Sequence, residues 1–312
     1  MMTSRQRVLA AIGHREPDRV PFNLRPDPTV LERFRAEAGD VDFAEHFHHD
    51  VRYVQLHVEP CPEGVEPTEW TPAPRAEDIA AVAEQTRSLH ERGLAVCGAY
   101  FCGVFEQAKH WLGDEATLLG PYDDPAAHGE VLDRITEWKS ALYGAYAAAG
   151  TDIVWIGDDL GTQRSLVMSP QHYRQWYRPR HQRIVDHLRS IRPEAKIAFH
   201  CCGHVTPLIP DLIEIGIDIL EAVQAEAMDI SWLKREFGRD LAFWGGVGAQ
   251  SVLQGSPAEV MAGVRRTLRI MAPGGGYIAA PCHTLTEEVP WENVLAFHQA
   301  LREHGAYPDP GR

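Results

Sequence analysis

Residues 152–200 read DIVWIGDDLGTQRSLVMSPQHYRQWYRPRHQRIVDHLRSIRPEAKIAFH. The stretch begins with the apolar run DIVWIG and ends with KIAFH, and such runs are typical of parallel strands covered on both faces. Between them, the segment 169–191 has Ser169 as a candidate N-cap and Pro170 at the first helical position, where proline is tolerated. The stretch therefore predicts a strand, a helix and a second strand that runs parallel to the first.

The same alternation of apolar runs and helical segments continues along the chain. Further runs predict strands at 20–24, 94–101, 218–223, 241–247 and 277–282, and a run at 51–58 is a candidate eighth strand. This number of strands fits a closed barrel better than an open doubly wound sheet, because FNLRPDP, at the end of the first run, is not a glycine-rich phosphate loop. We therefore predict an α/β fold of the (β/α)8 TIM barrel type.

The length of the chain is consistent with one barrel. A chain of 312 residues suits a single (β/α)8 domain, and we find no Gly/Ser-rich or Pro-rich tract that could serve as a long linker. We expect one domain over residues 1–312, in which residues 1–19 form an N-terminal helical extension that leads into the barrel.

The charge balance argues against two classes of partner. The chain has 30 Lys and Arg residues against 44 Asp and Glu residues, and a net charge of −14 would repel nucleic acid. No apolar run approaches the roughly 18 residues that span a bilayer, and the N-terminus lacks the apolar core of a signal peptide. We therefore expect a cytoplasmic protein whose six cysteines are reduced, with neither nucleic acid nor membrane as a partner.

Chemically active side chains gather where the predicted strands end. In a barrel of this type the active site lies at the carboxyl ends of the strands. Four of the predicted strands lead into carboxylate, imidazole or thiol groups, namely Asp158 and Asp159, His200 with Cys201 and Cys202, Glu221, and Cys282 with His283. Four strands thus direct such groups to one rim, as a catalytic metal site requires.

Three of these residues predict a zinc site. Zinc takes nitrogen and sulfur ligands, and a catalytic site uses three protein ligands and leaves one position for substrate. The set His200, Cys202 and Cys282 has this composition, and no second C-x-x-C pair is present to close a structural site. The alternative is that His200 and Cys202 form a hydrogen-bonded pair at the edge of the core. Cys201 faces the opposite side of an extended segment, so we expect it to pack behind the site.

The acid pair after DIVWIG allows two interpretations. Asp158 or Asp159 could cap a helix, since aspartate is a favoured N-cap. Alternatively, the two acids and the amide of Gln163 could bind a polar substrate or cofactor, or orient a metal ligand. We expect Asp158 and Asp159 to matter more to turnover than to stability, because an acid pair that faces a pocket is costly to fold.

Other cysteines and histidines carry no clear signal. Cys61, Cys97 and Cys102 have no histidine close to them, and we interpret them as small apolar fillers. The histidine-rich stretch 45–57 has neither helical spacing nor a zinc motif, so it predicts a solvated or locally hydrogen-bonded loop.

Four segments of the chain resemble the uroporphyrinogen decarboxylase superfamily. They are RVLAAIGHREPDRVPF (7–22), GDDLGTQRSLVMSPQHYRQWYRP (157–179), FHCCGHVTPLIPDLIEIGIDIL (199–220) and GGGYIAAPCH (274–283). Within the superfamily they are most similar to the methylcobalamin:coenzyme M methyltransferase branch. Members are (β/α)8 barrels, which agrees with the strand count.

The resemblance implies roles for particular residues. The branch carries a zinc site of the form His-x-Cys followed by a distant Cys, which matches His200, Cys202 and Cys282, and Glu221 matches a candidate fourth ligand that also takes part in catalysis. Porphyrinogen decarboxylases bind substrate carboxylates through an N-terminal Arg-Gln-Ala-Gly-Arg stretch. Residues 23–34 read NLRPDPTVLERF instead, so tetrapyrrole decarboxylation is disfavoured and Arg25 has no transferable role.

The resemblance implies a zinc-dependent methyltransferase. Its methyl donor would be methylcobalamin or another corrinoid, and its acceptor would be a thiol, which zinc coordination deprotonates. Coenzyme M, another thiol, homocysteine and a folate are all candidate acceptors, and the partner would be the small-molecule thiol, with a corrinoid carrier protein as a second candidate. Two alternatives remain open: a metal-free decarboxylase or lyase that uses Asp158 or Asp159 as an anchor, and a corrinoid- or metal-binding accessory protein without turnover.

Overall fold

The computed structural model describes residues 2–308. At its centre lies a sheet of seven parallel strands, each of which pairs with the next strand along the chain. The strands are β1 (Val51–Val54), β2 (Ala95–Ala99), β3 (Ile153–Gly157), β4 (Lys196–His200), β5 (Ile219–Val223), β6 (Ala242–Val247) and β7 (Tyr277–Pro281). Because all seven strands are parallel, their carboxyl ends lie at one end of the sheet.

An extended segment around Phe22 closes the sheet into a barrel. On one side it pairs with β7, where Ala279 N donates to Pro21 O (2.8 Å) and Asn23 N donates to Ala279 O (3.2 Å). On the other side, Asp50 N donates to Phe22 O (3.0 Å) directly before β1 begins. The prediction of a (β/α)8 barrel is thus confirmed.

The structure differs from the prediction at the first two predicted strands, because the first is irregular and the candidate eighth strand is regular. The run at 20–24 forms one isolated bridge, at Phe22, whereas the candidate eighth strand at 51–58 is regular over Val51–Val54. The reason lies in the backbone donors of the first segment. Pro21 has no N–H, and Phe22 N donates to the carboxylate of Asp50 (3.0 Å) rather than to a neighbouring backbone carbonyl.

Helices surround the barrel and one helix closes its amino-terminal end. They are α1 (Ser4–Ile12), α2 (Pro28–Ala38), α3 (Phe43–His46), α4 (Ala76–Glu91), α5 (Val104–Leu112), α6 (Asp114–Asp123), α7 (Pro125–Ala148), α8 (Pro170–Trp176), α9 (Arg178–Ile191), α10 (Ile209–Glu214), α11 (Ile230–Phe237), α12 (Pro257–Met271) and α13 (Trp291–His304). Helix α1 confirms the N-terminal helical extension. Among the described residues, no helix is long and apolar enough to cross a membrane.

The helix predicted over 169–191 is interrupted near its middle. Ser169 caps α8 as expected, since its side chain accepts a hydrogen bond from His172 N. The chain then bends at Tyr177, and α9 begins at Arg178. Proline at 179 explains the break, because it has no N–H for the helical ladder and its ring crowds the preceding turn.

The barrel interior is filled by alternate residues of each strand. Small and branched side chains occupy its lower layers, and Val8 and Ile12 of α1 pack against them from below. Toward the carboxyl ends the interior side chains become large, with Trp155 on β3 and Trp244 on β6. The amino-terminal end is therefore plugged, and open space is found at the opposite end.

Part of the histidine-rich stretch is buried and residues Val51–Val54 form a strand, which corrects the prediction of a solvated or locally hydrogen-bonded loop. His49 is 3% exposed between the rings of Phe22 and Phe43, and its Nε2 has no hydrogen-bond partner among the described residues. Burial, together with the charges of Arg52 and nearby histidines, lowers the pKa of His49 to about 3. A histidine buried in its neutral form makes folding sensitive to acid.

We predict that acid destabilises the protein through His49. The folded pKa lies below the ordinary value of 6.5, so the unfolded chain binds the extra proton first and stability falls as the pH drops below about 6.5. Between pH 7 and pH 5 this site alone should cost about 2 kcal/mol of unfolding free energy. Urea unfolding at both pH values should show a smaller loss in His49→Leu than in the unsubstituted protein. His57→Leu, which removes an exposed histidine, serves as the control, and equal losses in both variants would contradict the prediction.

Candidate functional site

A cavity of about 310 Å3 opens at the carboxyl ends of the strands. It is lined by side chains from several strand ends and from the segment that closes the barrel. Those that matter for its chemistry are Arg25, Glu106, Asp159, His200, Cys202 and Glu221. The cavity thus lies at the carboxyl ends of the strands, where an active site is expected in a barrel of this type.

His200 is held by a carboxylate on the neighbouring strand. Its Nδ1 lies 2.5 Å from Glu221 Oε2, and the same oxygen accepts a hydrogen bond from Trp155 Nε1 (2.8 Å). Burial lowers the pKa of His200, but the charge of Glu221 and the hydrogen bonds to Cys202 and Glu221 together outweigh it, so the pKa lies well above its ordinary value. The Glu221 carboxylate therefore fixes the ring and leaves Nε2 directed at the cavity side.

Two further potential metal ligands lie close to that nitrogen, which makes a group of three. His200 Nε2 lies 3.4 Å from Cys202 Sγ and 3.5 Å from Asp159 Oδ1, and one ligand atom from each residue lies within 4.8 Å of the other two. Cys202 N donates to Asp159 Oδ1 (2.7 Å), which holds the carboxylate in place. One nitrogen, one sulfur and one oxygen ligand form a set that fits zinc with a position left for substrate.

The structure assembles only part of the predicted zinc set around these atoms. His200 and Cys202 come together, but Glu221 contacts the far nitrogen of the imidazole. Cys282 Sγ donates to Glu226 Oε2 (3.3 Å) and accepts from Ala249 N (3.2 Å), and it lies outside the group of three. Burial and the charge of Glu226 raise the pKa of Cys282.

Asp158 has a structural environment. It is fully buried, and its carboxylate accepts hydrogen bonds from the first backbone N–H groups of α5, Val104 (2.8 Å), Phe105 (3.0 Å) and Glu106 (2.9 Å). His181 Nε2 lies 2.8 Å from it as well. Among the described residues no helix begins directly after the acid pair, so the interpretation that it caps the following helix is wrong. Asp158 instead caps α5, whose first residue lies 54 positions earlier in the chain. These contacts favour a structural role for Asp158, and its effect on turnover stays a prediction. Asp159 is the member of the pair that lines the cavity.

Cys201 and Gln163 have different surroundings. Cys201 is fully buried on the outer face of the barrel, where its Sγ accepts from Leu160 N (3.3 Å), so the prediction that it packs behind the site is confirmed. Gln163 is exposed and lines a second cavity, where its Oε1 accepts from Gln224 Nε2 (3.0 Å). Its assignment to cofactor binding stays a prediction.

Arg25 brings a positive charge into the first cavity, which sequence analysis did not foresee. Its guanidinium lies 5.0 Å from the ring centre of Phe101 and 5.8 Å from that of Trp155, and it donates to Thr284 Oγ1 (3.2 Å). It forms no ion pair with any described residue. A cation with these partners is available to an anionic group of a substrate.

Two further cavity residues were missed or misjudged. Glu106 forms no side-chain hydrogen bond with the described residues, and burial, with the charges of Asp158 and Asp159, raises its pKa to about 7. It can therefore exchange a proton near neutral pH. Cys102 has a left-handed φ of 62°, and burial raises its pKa to about 11. Because it lines the same cavity, its interpretation as a small apolar filler is wrong.

The other two cysteines interpreted as fillers differ from each other. Cys97 is fully buried inside the barrel, which confirms its interpretation. Cys61 is exposed, so its interpretation is wrong. Neither lines the two cavities described here.

Comparison with curated proteins gives distant relatives of one kind. A uroporphyrinogen decarboxylase from Azotobacter vinelandii is 28% identical over 195 residues, which are 59% of this chain and 50% of that protein. One from Pseudomonas aeruginosa is 27% identical over the same length and with the same coverage. The matched region spans about half the length of these relatives.

Comparison with solved structures supports the fold. A methyltransferase from Methanosarcina mazei superposes with a TM-score of 0.72 at 18% identity, and the match covers 97% of this chain and 99% of that one. The family model for uroporphyrinogen decarboxylase (URO-D) matches residues 95–304, well over half of the chain. This protein therefore belongs to the uroporphyrinogen decarboxylase family.

Proposed function

We propose that this protein is a zinc-dependent methyltransferase that moves a methyl group from a methylated corrinoid to a thiol. The observation that carries the proposal is the convergence of Asp159, His200 and Cys202 within 4.8 Å of one another at the wall of the barrel cavity. Zinc bound by these residues would retain a position for the acceptor thiol and would hold that thiol deprotonated at neutral pH.

Neighbouring residues prepare the ligands for this role. Glu221 accepts a hydrogen bond from His200 Nδ1, and Trp155 donates to the same carboxylate. These contacts fix the orientation of the imidazole ring, with Nε2 available to a metal ion. Asp159 is fixed by Cys202 N. Hydrogen bonds within the chain therefore hold His200 and Asp159 in position.

The cavity also suits the remainder of an acceptor molecule. Arg25 lies beside Phe101 and Trp155 and forms no ion pair with the described residues, so the anionic end of an acceptor could bind to its guanidinium. Glu106 lines the same cavity and is a carboxylate that could accept the thiol proton and release it to solvent. A corrinoid bound as methyl donor would supply the methyl carbon to the sulfur, and its cobalt would keep the electron pair of the broken cobalt–carbon bond.

One observation favours a second function, a lyase that acts on a carboxylated substrate. Arg25 could bind the carboxylate and Glu106, protonated for part of the time at neutral pH, could deliver a proton to the product carbanion. The curated relatives are uroporphyrinogen decarboxylases, which is the same class of reaction. Such an enzyme needs no metal ligand set, and the side chain of Cys202 would have no role in it.

The decisive test is to mix the purified protein with methylcobalamin and a panel of thiols and to follow the methylcobalamin spectrum. We expect thiol-dependent loss of that spectrum and about one zinc per chain. A protein without stoichiometric zinc that releases CO2 from a carboxylated substrate would support the lyase instead. Zinc without turnover in every pairing would point to an accessory protein.

We predict that Glu221→Gln weakens zinc binding about 10- to 100-fold without removing a ligand. The reason is that Glu221 contacts Nδ1 of His200, on the far side of the ring from Cys202 and Asp159. X-ray absorption at the zinc edge should give the same number of sulfur and light-atom neighbours in the variant and in the unsubstituted protein. The loss of one light-atom neighbour would instead make Glu221 a direct ligand.

A further inference from the structure

A second cavity of about 440 Å3 adjoins the first at the candidate metal ligands. The two cavities share Asp159, Cys202, His283 and Thr284 in their linings. The Cys202 thiol therefore stands at the boundary between two spaces. A molecule held at this point can be approached from both of them.

The two cavities differ in chemistry. The first contains the cation of Arg25 and aromatic rings, whereas four glutamines line the second, Gln163, Gln224, Gln250 and Gln254. No lysine or arginine is among the described residues that line the second cavity. Its two acids are already engaged, Asp159 with Cys202 N and Glu288 with the hydroxyl of Thr286. An uncharged ligand with several amide or carbonyl groups fits this lining, and a phosphate does not.

A chain of hydrogen bonds fixes the direction in which the amides point. Gly203 N donates to Gln224 Oε1 (2.9 Å), so the other end of that amide is its NH2 group, which donates to Gln163 Oε1 (3.0 Å). Gln224 is 8% exposed, and the backbone of Gly203 lies so close to Thr162 O that a Cβ would come within 2.5 Å of it. The NH2 group of Gln163 is left as a donor at the cavity, where it can meet a carbonyl oxygen.

We propose that the second cavity recognises the methyl donor through the primary amide groups at the edge of its corrin ring. The inference rests on the proposed function and adds to it a site and a ligand chemistry. A cavity of this size admits the edge of a corrin and not the whole ring, so the cobalt face would lie over the shared boundary at Cys202. The acceptor then occupies the first cavity and the donor the second, on opposite sides of the transferred carbon, as an in-line displacement requires.

The test measures methylcobalamin binding and its KM separately from those of the thiol. We expect Gln163→Ala to raise the Kd and the KM for methylcobalamin about tenfold, the effect of one lost hydrogen bond, with the thiol KM and the zinc content unchanged. Gln163→Glu should weaken donor binding further, because a carboxylate would face the carbonyl oxygen. Gln163 is exposed, so these variants should fold. Gln299→Ala, which removes an exposed glutamine on α13, is the control.

The outcomes separate this inference from the proposed function. Methylcobalamin binding that is equal in Gln163→Ala and in the unsubstituted protein would overturn the inference and leave the methyltransferase intact. A raised KM for the thiol alone would also overturn it, because it would place the acceptor in the second cavity. The absence of methylcobalamin binding and turnover in the unsubstituted protein would overturn the proposed function itself.

Discussion

Cys202→Ala is expected to lose its zinc and about a thousandfold of its methyl-transfer rate while it remains folded. Cys202 Sγ, 3.4 Å from His200 Nε2, is the soft ligand in the group of three, and the imidazole and carboxylate that remain bind zinc far more weakly. The side chain lies at a cavity wall, so its truncation should cost less than about 1 kcal/mol of stability. Metal analysis after dialysis and the rate of methylcobalamin loss measure the two effects.

Two other cysteines make this experiment specific. Cys61→Ala removes an exposed thiol that lines neither cavity. This variant should keep the zinc content and the activity of the unsubstituted protein. The variant Cys282→Ala decides which residue is the third zinc ligand. If the variant loses zinc, Cys282 must break its hydrogen bond with Glu226 and bind the metal, as the resemblance to the methyltransferase branch implies. If it keeps zinc, Asp159 is the third ligand. Stoichiometric zinc in Cys202→Ala would contradict the assignment of the metal site altogether.

The sequence predicts the fold well because the fold depends on local periodicity. Apolar runs separated by helical segments indicate parallel strands, and β3, β4, β5, β6 and β7 lie within the predicted runs. Errors occur where one backbone donor or one proline decides the outcome. Phe22 N pairs with the Asp50 carboxylate instead of a strand, and proline at 179 divides the helix predicted over 169–191. Such events are set by single contacts, which periodicity does not report.

Of the candidate site, the sequence predicts only the features that depend on the alternation of side chains along a strand. Successive residues of an extended segment face opposite sides, which correctly places His200 and Cys202 toward the cavity and Cys201 behind it. Arg25 belongs to an irregular segment, and its partner Thr284 is 259 positions away along the chain, so no local pattern assigns it to the cavity. The raised pKa of Glu106 likewise depends on burial and on charges from another strand end.

The acid pair Asp158 and Asp159 after β3 also has contacts that no local sequence pattern reports. These contacts lead to a second prediction with a large expected effect, on stability. Asp158→Ala is expected to lower the free energy of unfolding by about 3–5 kcal/mol. The buried carboxylate accepts three backbone N–H groups at the start of α5 and faces His181 Nε2, so its removal leaves several buried donors without partners. Asp158→Asn should also be destabilised, because its NH2 group would face those N–H donors. Urea unfolding of metal-free protein measures the change without a contribution from zinc binding.

Asp159→Asn provides the matched comparison, since the two residues are adjacent and chemically identical. The Asp159 side chain is 39% exposed and accepts a single backbone hydrogen bond, from Cys202 N, which an amide oxygen can also accept. We therefore expect a stability loss below about 1 kcal/mol, together with weaker zinc binding and slower turnover. Substitution of Asp158 should thus affect mainly the free energy of unfolding, and substitution of Asp159 mainly zinc binding and turnover. If Asp158→Asn unfolds like the unsubstituted protein but loses activity, the capping role is wrong and Asp158 acts in turnover.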